Sequence, residues 1–279
     1  MRRLGAAVAT ALLLSACSTS GDMMSTASMV RPDDVSPTST STASTAVAVA
    51  YPRFSDNDPH DWNSTRPWNY AVHGADVSKY QTSVAWRDAK LSGISFAFIK
   101  ATEGGDRVDD KFADHWRNAK AAGVPRGAYH FYYFCRTAKD QARWYIQHVP
   151  KDPSALPPVL DMEWNAASPT CKLRPNAAVV RSEMRTFMDI VERHYGKRPI
   201  IYTTIDFFDD NDLRQFVGYP FWLRSVAGHP DEKYGSHPWT FWQYTGTGSV
   251  PGMRGDADIN VFAGSEKSWK EWLTRNKVQ

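Results

Sequence analysis

Residues 157–165 read PPVLDMEWN, an apolar run that carries two carboxylates two positions apart, Asp161 and Glu163. Paired prolines open the run, and its apolar residues read as a buried strand. Residues two apart on a strand point to one face, so Asp161 and Glu163 project together while Leu160, Met162 and Trp164 take the other side. Buried charge is costly unless it is paired or used. The fold therefore turns on which sheet this strand belongs to.

Seven further runs of the same kind lie around it, at residues 72–78, 95–101, 126–134, 199–204, 220–226, 240–245 and 256–262, each bounded by Gly, Pro or polar turns. Eight is the strand count that closes a filled barrel. Helical periodicity falls between them at residues 84–92, 110–122, 138–149 and 176–195, and more briefly at 212–217. The connections at 226–239 and 246–255 are rich in Gly, Pro and small polar residues and predict no full helix. Residues 267–276 predict a closing helix. The expectation is an α/β fold, an irregular TIM-like barrel with five β/α units followed by three strands.

Chemistry in such a barrel sits at the C-terminal ends of the strands. Asp161 and Glu163 end the fourth run, Asp76 ends the first and Asp258 lies within the eighth, so four carboxylates are expected at one mouth. An Asp-x-Glu triplet alone says little. Its place on an otherwise apolar strand, matched by acids on neighbouring strands, marks a catalytic group.

Net charge is +3 over 279 residues, and no Lys/Arg block interleaves with aromatics, so a nucleic-acid footprint is not supported. No cofactor is expected, and no His or Cys stands at metal-ligand spacing. The first residues have the basic, apolar and small-residue parts of an export signal. LSACS at 14–18 resembles a bacterial lipobox, which makes residues 1–16 the signal peptide and Cys17 the candidate lipidation site. Ser and Thr dominate residues 18–50, and residues 17–67 read as a flexible tether before a globular domain at 68–279. Its random-coil reach is roughly 40 Å. Ser18 after the cysteine resembles lipoproteins sorted to the outer membrane, which places the domain on that membrane's periplasmic face, with a soluble periplasmic or secreted protein as the alternative.

HGADVSKYQ, FAFIKATEGG, AAGVPRGAYHFY, PPVLDMEW, IIYT and WQYTGTGSVPGMRGDADINVF resemble, in order, the motifs of the family 25 glycoside hydrolases, the Chalaropsis-type lysozymes. The resemblance covers residues 72–263. It implies a barrel of five β/α units and three further strands, and an N-acetylmuramidase cutting the β-1,4 bond between N-acetylmuramic acid and N-acetylglucosamine in peptidoglycan strands. It further implies Glu163 as general acid, Asp161 as its partner, and Asp76 and Asp258 as supporting acids. A neighbouring ionised carboxylate raises a glutamate's pKa, so Asp161 is expected to stay charged while Glu163 keeps its proton. A substrate-assisted route is favoured, because both sugars carry an N-acetyl group; a direct nucleophile or an inverting water stays open.

Pyranose faces stack on flat rings, and Tyr132, Trp164, Trp222 and Tyr244 are candidate sugar platforms. Gln243 and Asn260 are candidate polar groups on inward faces. Lys100 and Glu103 are a candidate structural ion pair. LRSVAG departs from the usual sixth-strand motif and places Arg224 near the mouth, to meet a stem-peptide carboxylate or, more simply, a neighbouring acid. Cys135 and Cys171 fall at the ends of neighbouring strands, and an exported chain allows them to pair. A monomer is expected. Two other readings remain at this point: a wall-binding lipoprotein without activity, and a hydrolase of chitin-type glycans.

Overall fold

The computed structural model describes residues 52–63 and 65–277. The short strand β1 (Ser55–Asp56) precedes β2 (His73–Val77), and α1 (Trp86–Leu91) leads to β3 (Ile94–Glu103). The two-residue β4 (Arg107–Val108) pairs back onto β3 before α2 (Phe112–Ala121) and β5 (Arg126–Phe131). Then come α3 (Ala138–His148), β6 (Val159–Met162), α4 (Ala177–Tyr195), β7 (Ile200–Thr203), α5 (Ile205–Asp210), β8 (Phe221–Arg224), the one-turn α6 (Pro230–Lys233), β9 (Phe241–Ser249), β10 (Ala257–Phe262) and α7 (Glu266–Arg275).

Eight strands run in the order β9, β10, β2, β3, β5, β6, β7, β8, and β8 pairs with β9 to close the barrel. All neighbours are parallel except β10, which is antiparallel to both β2 and β9. The eight expected strands are all present. The connections after β8 and β9 hold one helical turn and no helix, respectively, as their Gly and Pro content predicts.

Alternation along the strands divides the apolar residues into two layers. Phe96, Phe98, Val159, Ile200, Trp222 and Phe241 fill the barrel, and Trp269 and Trp272 of α7 join that cluster. Leu160, Met162, Ile201 and Leu223 face outward onto the helices. The 19 residues of α4 bury Val180, Met184, Phe187, Met188 and Val191, a stripe at helical spacing. Asn176 caps its start by accepting from Val179 N–H, and Gly196 at φ 67° ends it in the left-handed conformation.

The strands β9 and β10 lack the long helices that cover the others, and the chain ahead of β2 covers them instead. Ser55 and Asp56 pair with Ser249 and Gly248 of β9. Trp62 meets Trp242 edge-on at 5.1 Å, and Tyr70 Oη and His229 Nε2 are hydrogen-bonded at 2.8 Å. Arg53 N–H donates to Ser92 C=O at 2.8 Å. The barrel domain thus includes the chain from Pro52, ahead of the boundary expected at Trp68. The helix at Ile205–Asp210 was not expected, and only a 3₁₀ turn at Leu213–Gln215 occupies the helical region expected at 212–217. Cys17 and the signal segment lie outside the described residues.

Candidate active site

The four acids converge. Asp76 lies near the C-terminal end of β2, Asp161 on β6, and Glu163 one residue past β6. Because β10 runs antiparallel, its beginning reaches the same mouth, and Asp258 there stands opposite Asp76 in register. Gly246 on the adjoining strand leaves room for that carboxylate, since a Cβ at this position would come within 3.1 Å of Asp258 Oδ1.

Asp76 is 6 % exposed and fully engaged. Its Oδ2 accepts from Gln243 Nε2 at 3.0 Å and from Asn260 Nδ2 at 2.8 Å. Gln243 Oε1 in turn accepts from the Tyr202 hydroxyl at 2.9 Å, and Asn260 Oδ1 accepts from the Trp222 indole at 2.7 Å. Gln243 and Asn260, expected as polar groups on inward faces, are both engaged in holding Asp76. Asp161 is also buried, at 5 % exposed, but its Oδ1 has no hydrogen-bond partner. A buried, unpaired carboxylate oxygen needs an explanation, and an absent substrate donor is one.

Burial sets the titration of this mouth. It pushes Glu163 up to about 7, while Arg224 and Lys100 act in the opposite direction. It raises Asp258 to about 6, again opposed by Arg224. Burial and then the Asp258 charge hold Asp76 well above the usual carboxylate range. Burial and then Glu163 do the same to Asp161. Glu163 was expected to be raised chiefly by its neighbour's charge; desolvation is instead the leading cause, and it raises both Glu163 and Asp161.

The aromatic candidates separate. Trp164 is half-buried at the mouth beside Glu163, with its indole donating to Asp210 Oδ2 at 2.8 Å. Three others are not platforms. Tyr132 is 2 % exposed and points into the helix layer, where its hydroxyl donates to Glu183 Oε2 at 2.8 Å. Trp222 is 2 % exposed inside the barrel, stacked on Phe98 at 4.5 Å. Tyr244 faces outward and lines the cleft between β9 and the N-terminal segment with Trp62 and Trp68. Strand parity identifies the aromatics that do face inward beside the acids: Phe131 and Tyr202 are in register with Asp161 across β5 and β7, and Tyr129 is inward by the same count.

Lys100 and Glu103 do form an ion pair, at 2.7 Å, with the Tyr133 hydroxyl bonded to the other Glu103 oxygen. Arg224 is exposed, and its charge opposes the effect of burial on Glu163 and Asp258. Cys135 and Cys171 are joined in a disulfide with Cα atoms 5.8 Å apart.

The match to the model of the glycosyl hydrolases family 25 spans residues 75–253 and includes Asp76, Asp161 and Glu163. The chain belongs to this family. This family 25 glycosyl hydrolase is 36% identical over 208 residues to Lysozyme M1 of Streptomyces globisporus, covering 70% of this chain and 68% of the relative. Among solved structures it resembles a family 25 glycosyl hydrolase from Bacillus anthracis, with TM-score 0.68, 35% identity and coverage of 78% and 98% of the two chains. It also resembles a bacterial lysozyme from Streptomyces coelicolor, with TM-score 0.66, 32% identity and coverage of 74% and 98%. The barrel with its acid-lined mouth is thus the scaffold of a glycoside hydrolase.

Proposed function

We propose that this family 25 glycosyl hydrolase is a muramidase that cuts the β-1,4 bond between N-acetylmuramic acid and N-acetylglucosamine in peptidoglycan. The observation that carries the mechanism is the contrast at β6: Glu163 is pushed up to about 7, and beside it Asp161 Oδ1 is buried without a partner. Glu163 keeps a transferable proton near neutral pH and delivers it to the leaving oxygen. The substrate's acetamido N–H donates to Asp161, which turns the acetamido oxygen towards the anomeric carbon. As an oxazolinium-like cation develops, its positive charge stabilises ionised Asp161 and offsets the burial that raised its pKa in the empty site. Asp76, fixed by Gln243 and Asn260, and Asp258 extend the negative field around that cation. Glu163, now ionised, then takes a proton from the water that opens the intermediate.

A single chain carries all four acids, so the reading needs no second copy. For location, the lipobox at residues 14–18 supports a lipoprotein held by acyl chains at Cys17, with the domain on the periplasmic face of the outer membrane and a reach set by its Ser/Thr-rich tether.

A zymogram of purified protein on peptidoglycan tests the enzymatic reading, with chitin as the second substrate. Clearing of peptidoglycan by wild type but not by Glu163→Gln is expected. Binding without clearing by wild type would make the chain a wall-binding lipoprotein, and clearing of chitin alone would move the substrate.

A further inference from the structure

Beside Glu163 the mouth opens into a side pocket of about 180 Å³ that the acid set does not use. Its walls include Tyr133, Glu163, Trp164, Cys171, Lys172 and Arg174. Two of the six are cations, and neither Lys172 nor Arg174 makes an ion pair with another described residue. The pocket's acids are otherwise committed: Glu163 to proton transfer, and the nearby Asp210 to the Trp164 indole.

Arg174 is also held in place. Arg174 lies with its guanidinium carbon 4.9 Å from the centre of the Trp164 ring. Trp164 cannot drift, because it is fixed by its bond to Asp210 and packed on Phe134 at 5.6 Å and Phe207 at 4.6 Å. The segment carrying Lys172 and Arg174 is tied at its start to the loop after β5 by the Cys135–Cys171 disulfide, and Cys171 N–H donates to Ser168 Oγ at 3.0 Å. A guanidinium stacked on a ring keeps its in-plane N–H donors free for a planar anion. The arrangement is a cationic pocket opening on the catalytic acid.

We infer that this pocket binds a carboxylate carried on the O3 substituent of the muramyl sugar, and so selects wall glycan over uncharged N-acetylglucosamine polymers. The inference rests on the muramidase reading. That substituent is the feature that distinguishes muramic acid from its neighbour in the strand, and it carries the lactyl group and the peptide attached to it. Glu163 is itself one wall of this pocket, which puts the two cations beside the bond that is broken. Lys172 and Arg174 then supply charge-assisted hydrogen bonds to a carboxylate there.

The test compares wild type with Lys172→Gln/Arg174→Gln, which keeps side-chain length and removes both charges, on three forms of purified glycan strand. The first form carries its peptides intact. The second is treated with carbodiimide and ammonia so that every carboxylate becomes a neutral amide. The third is stripped of peptide by an amidase, which leaves only the lactyl carboxylate. The variant is expected to lose about tenfold in kcat/KM on intact strands, through KM, and nothing on amidated ones. Loss on stripped strands as well shows that the pocket also takes the lactyl carboxylate that the amidase frees, and its absence there confines the contact to the carboxylates of the peptide. Equal loss on all three forms, or loss on none, overturns the inference while leaving the muramidase reading standing. Failure of wild type on every form overturns both. A circular-dichroism melt and an unchanged wild-type-like rate on amidated strands show that the variant is folded.

Discussion

Asp76 and Asp161 are both buried at one barrel mouth, yet Asp76 Oδ2 accepts two side-chain amide hydrogen bonds and Asp161 Oδ1 accepts none. One acid is fixed by the protein, and the other is left for the substrate to satisfy. Removing a buried group with no partner costs little stability. Asp161→Asn is therefore expected to melt no lower than wild type while its kcat falls at least about 100-fold, a range typical of a lost electrostatic contact to the developing charge. Wild type should also fail on peptidoglycan whose muramyl amines have been deacetylated. Undiminished cleavage of that substrate would contradict substrate assistance.

The same contrast predicts the reverse behaviour for the groups that hold Asp76. Gln243→Leu leaves the Tyr202 hydroxyl and one side of Asp76 unpaired in the barrel interior. Urea denaturation should show a loss of about 1–3 kcal/mol. A stability unchanged within error would mean that the network is replaced by water.

The pH dependence follows from Glu163. Its folded pKa of about 7 lies above the 4.5 of an ordinary glutamate, so the native state binds the proton more tightly than the unfolded chain. Stability from this group is present below about 4.5 and is lost as pH rises through about 7. Glu163→Gln removes that loss. The variant is expected to match wild type at low pH and to exceed it by about 2–3 kcal/mol above pH ~8, read by denaturant melts at both pH values. Activity runs the same way: the alkaline limb of kcat/KM reports loss of the Glu163 proton, modified by binding only if the free enzyme is not the species titrated. Arg224 lowers the Glu163 pKa, so Arg224→Gln should move that limb to higher pH. A shift to lower pH would show that Arg224 acts through something other than its charge.

Much of this was legible because the barrel strands are regular. Each of the eight runs alternates, is bounded by turn residues and leads into a helix or a Gly-rich loop, and the acids sit at strand ends that one topology brings together. What escaped was of two kinds. Ser55–Asp56 is a two-residue strand with no apolar alternation, and its neighbours Phe54 and Trp62 are isolated aromatics, so nothing local marks the start of the domain. The residues lining the mouth were misassigned for a different reason. Tyr132 looked apt by type, but on β5 it has the parity of His130 and turns to the helices, whereas Tyr129 and Phe131 turn inward. The upward shift of Asp161 could not be read from spacing, because burial is its leading cause and the charge two residues away only adds to it.

The disulfide joins Cys135 to Cys171 across 36 positions of sequence that include α3 and β6. In the chain-entropy model, closing such a loop stabilises by about 4 kcal/mol. Reductant, or Cys135→Ser/Cys171→Ser, should lower the melting temperature by more than 5 °C for a domain of this size, at roughly 2–4 °C per kcal/mol. Two free thiols in exported protein under non-reducing mass analysis would contradict the pairing.

If Cys17 carries acyl chains, wild type should fractionate with membranes, and Cys17→Ser should appear as soluble protein or unprocessed precursor. A soluble wild type with no acyl mass at its N-terminus would remove the anchor from the account.

The central claim is the bond that Glu163 helps to break. Purified peptidoglycan digested to completion, reduced with borohydride and analysed by mass spectrometry reports which sugar becomes the new reducing end. The account predicts muramitol ends from wild type and a rate lower by about 10²- to 10⁴-fold from Glu163→Gln, the range for loss of a general acid. Glucosaminitol ends, or muramitol ends produced at an undiminished rate by Glu163→Gln, would contradict it.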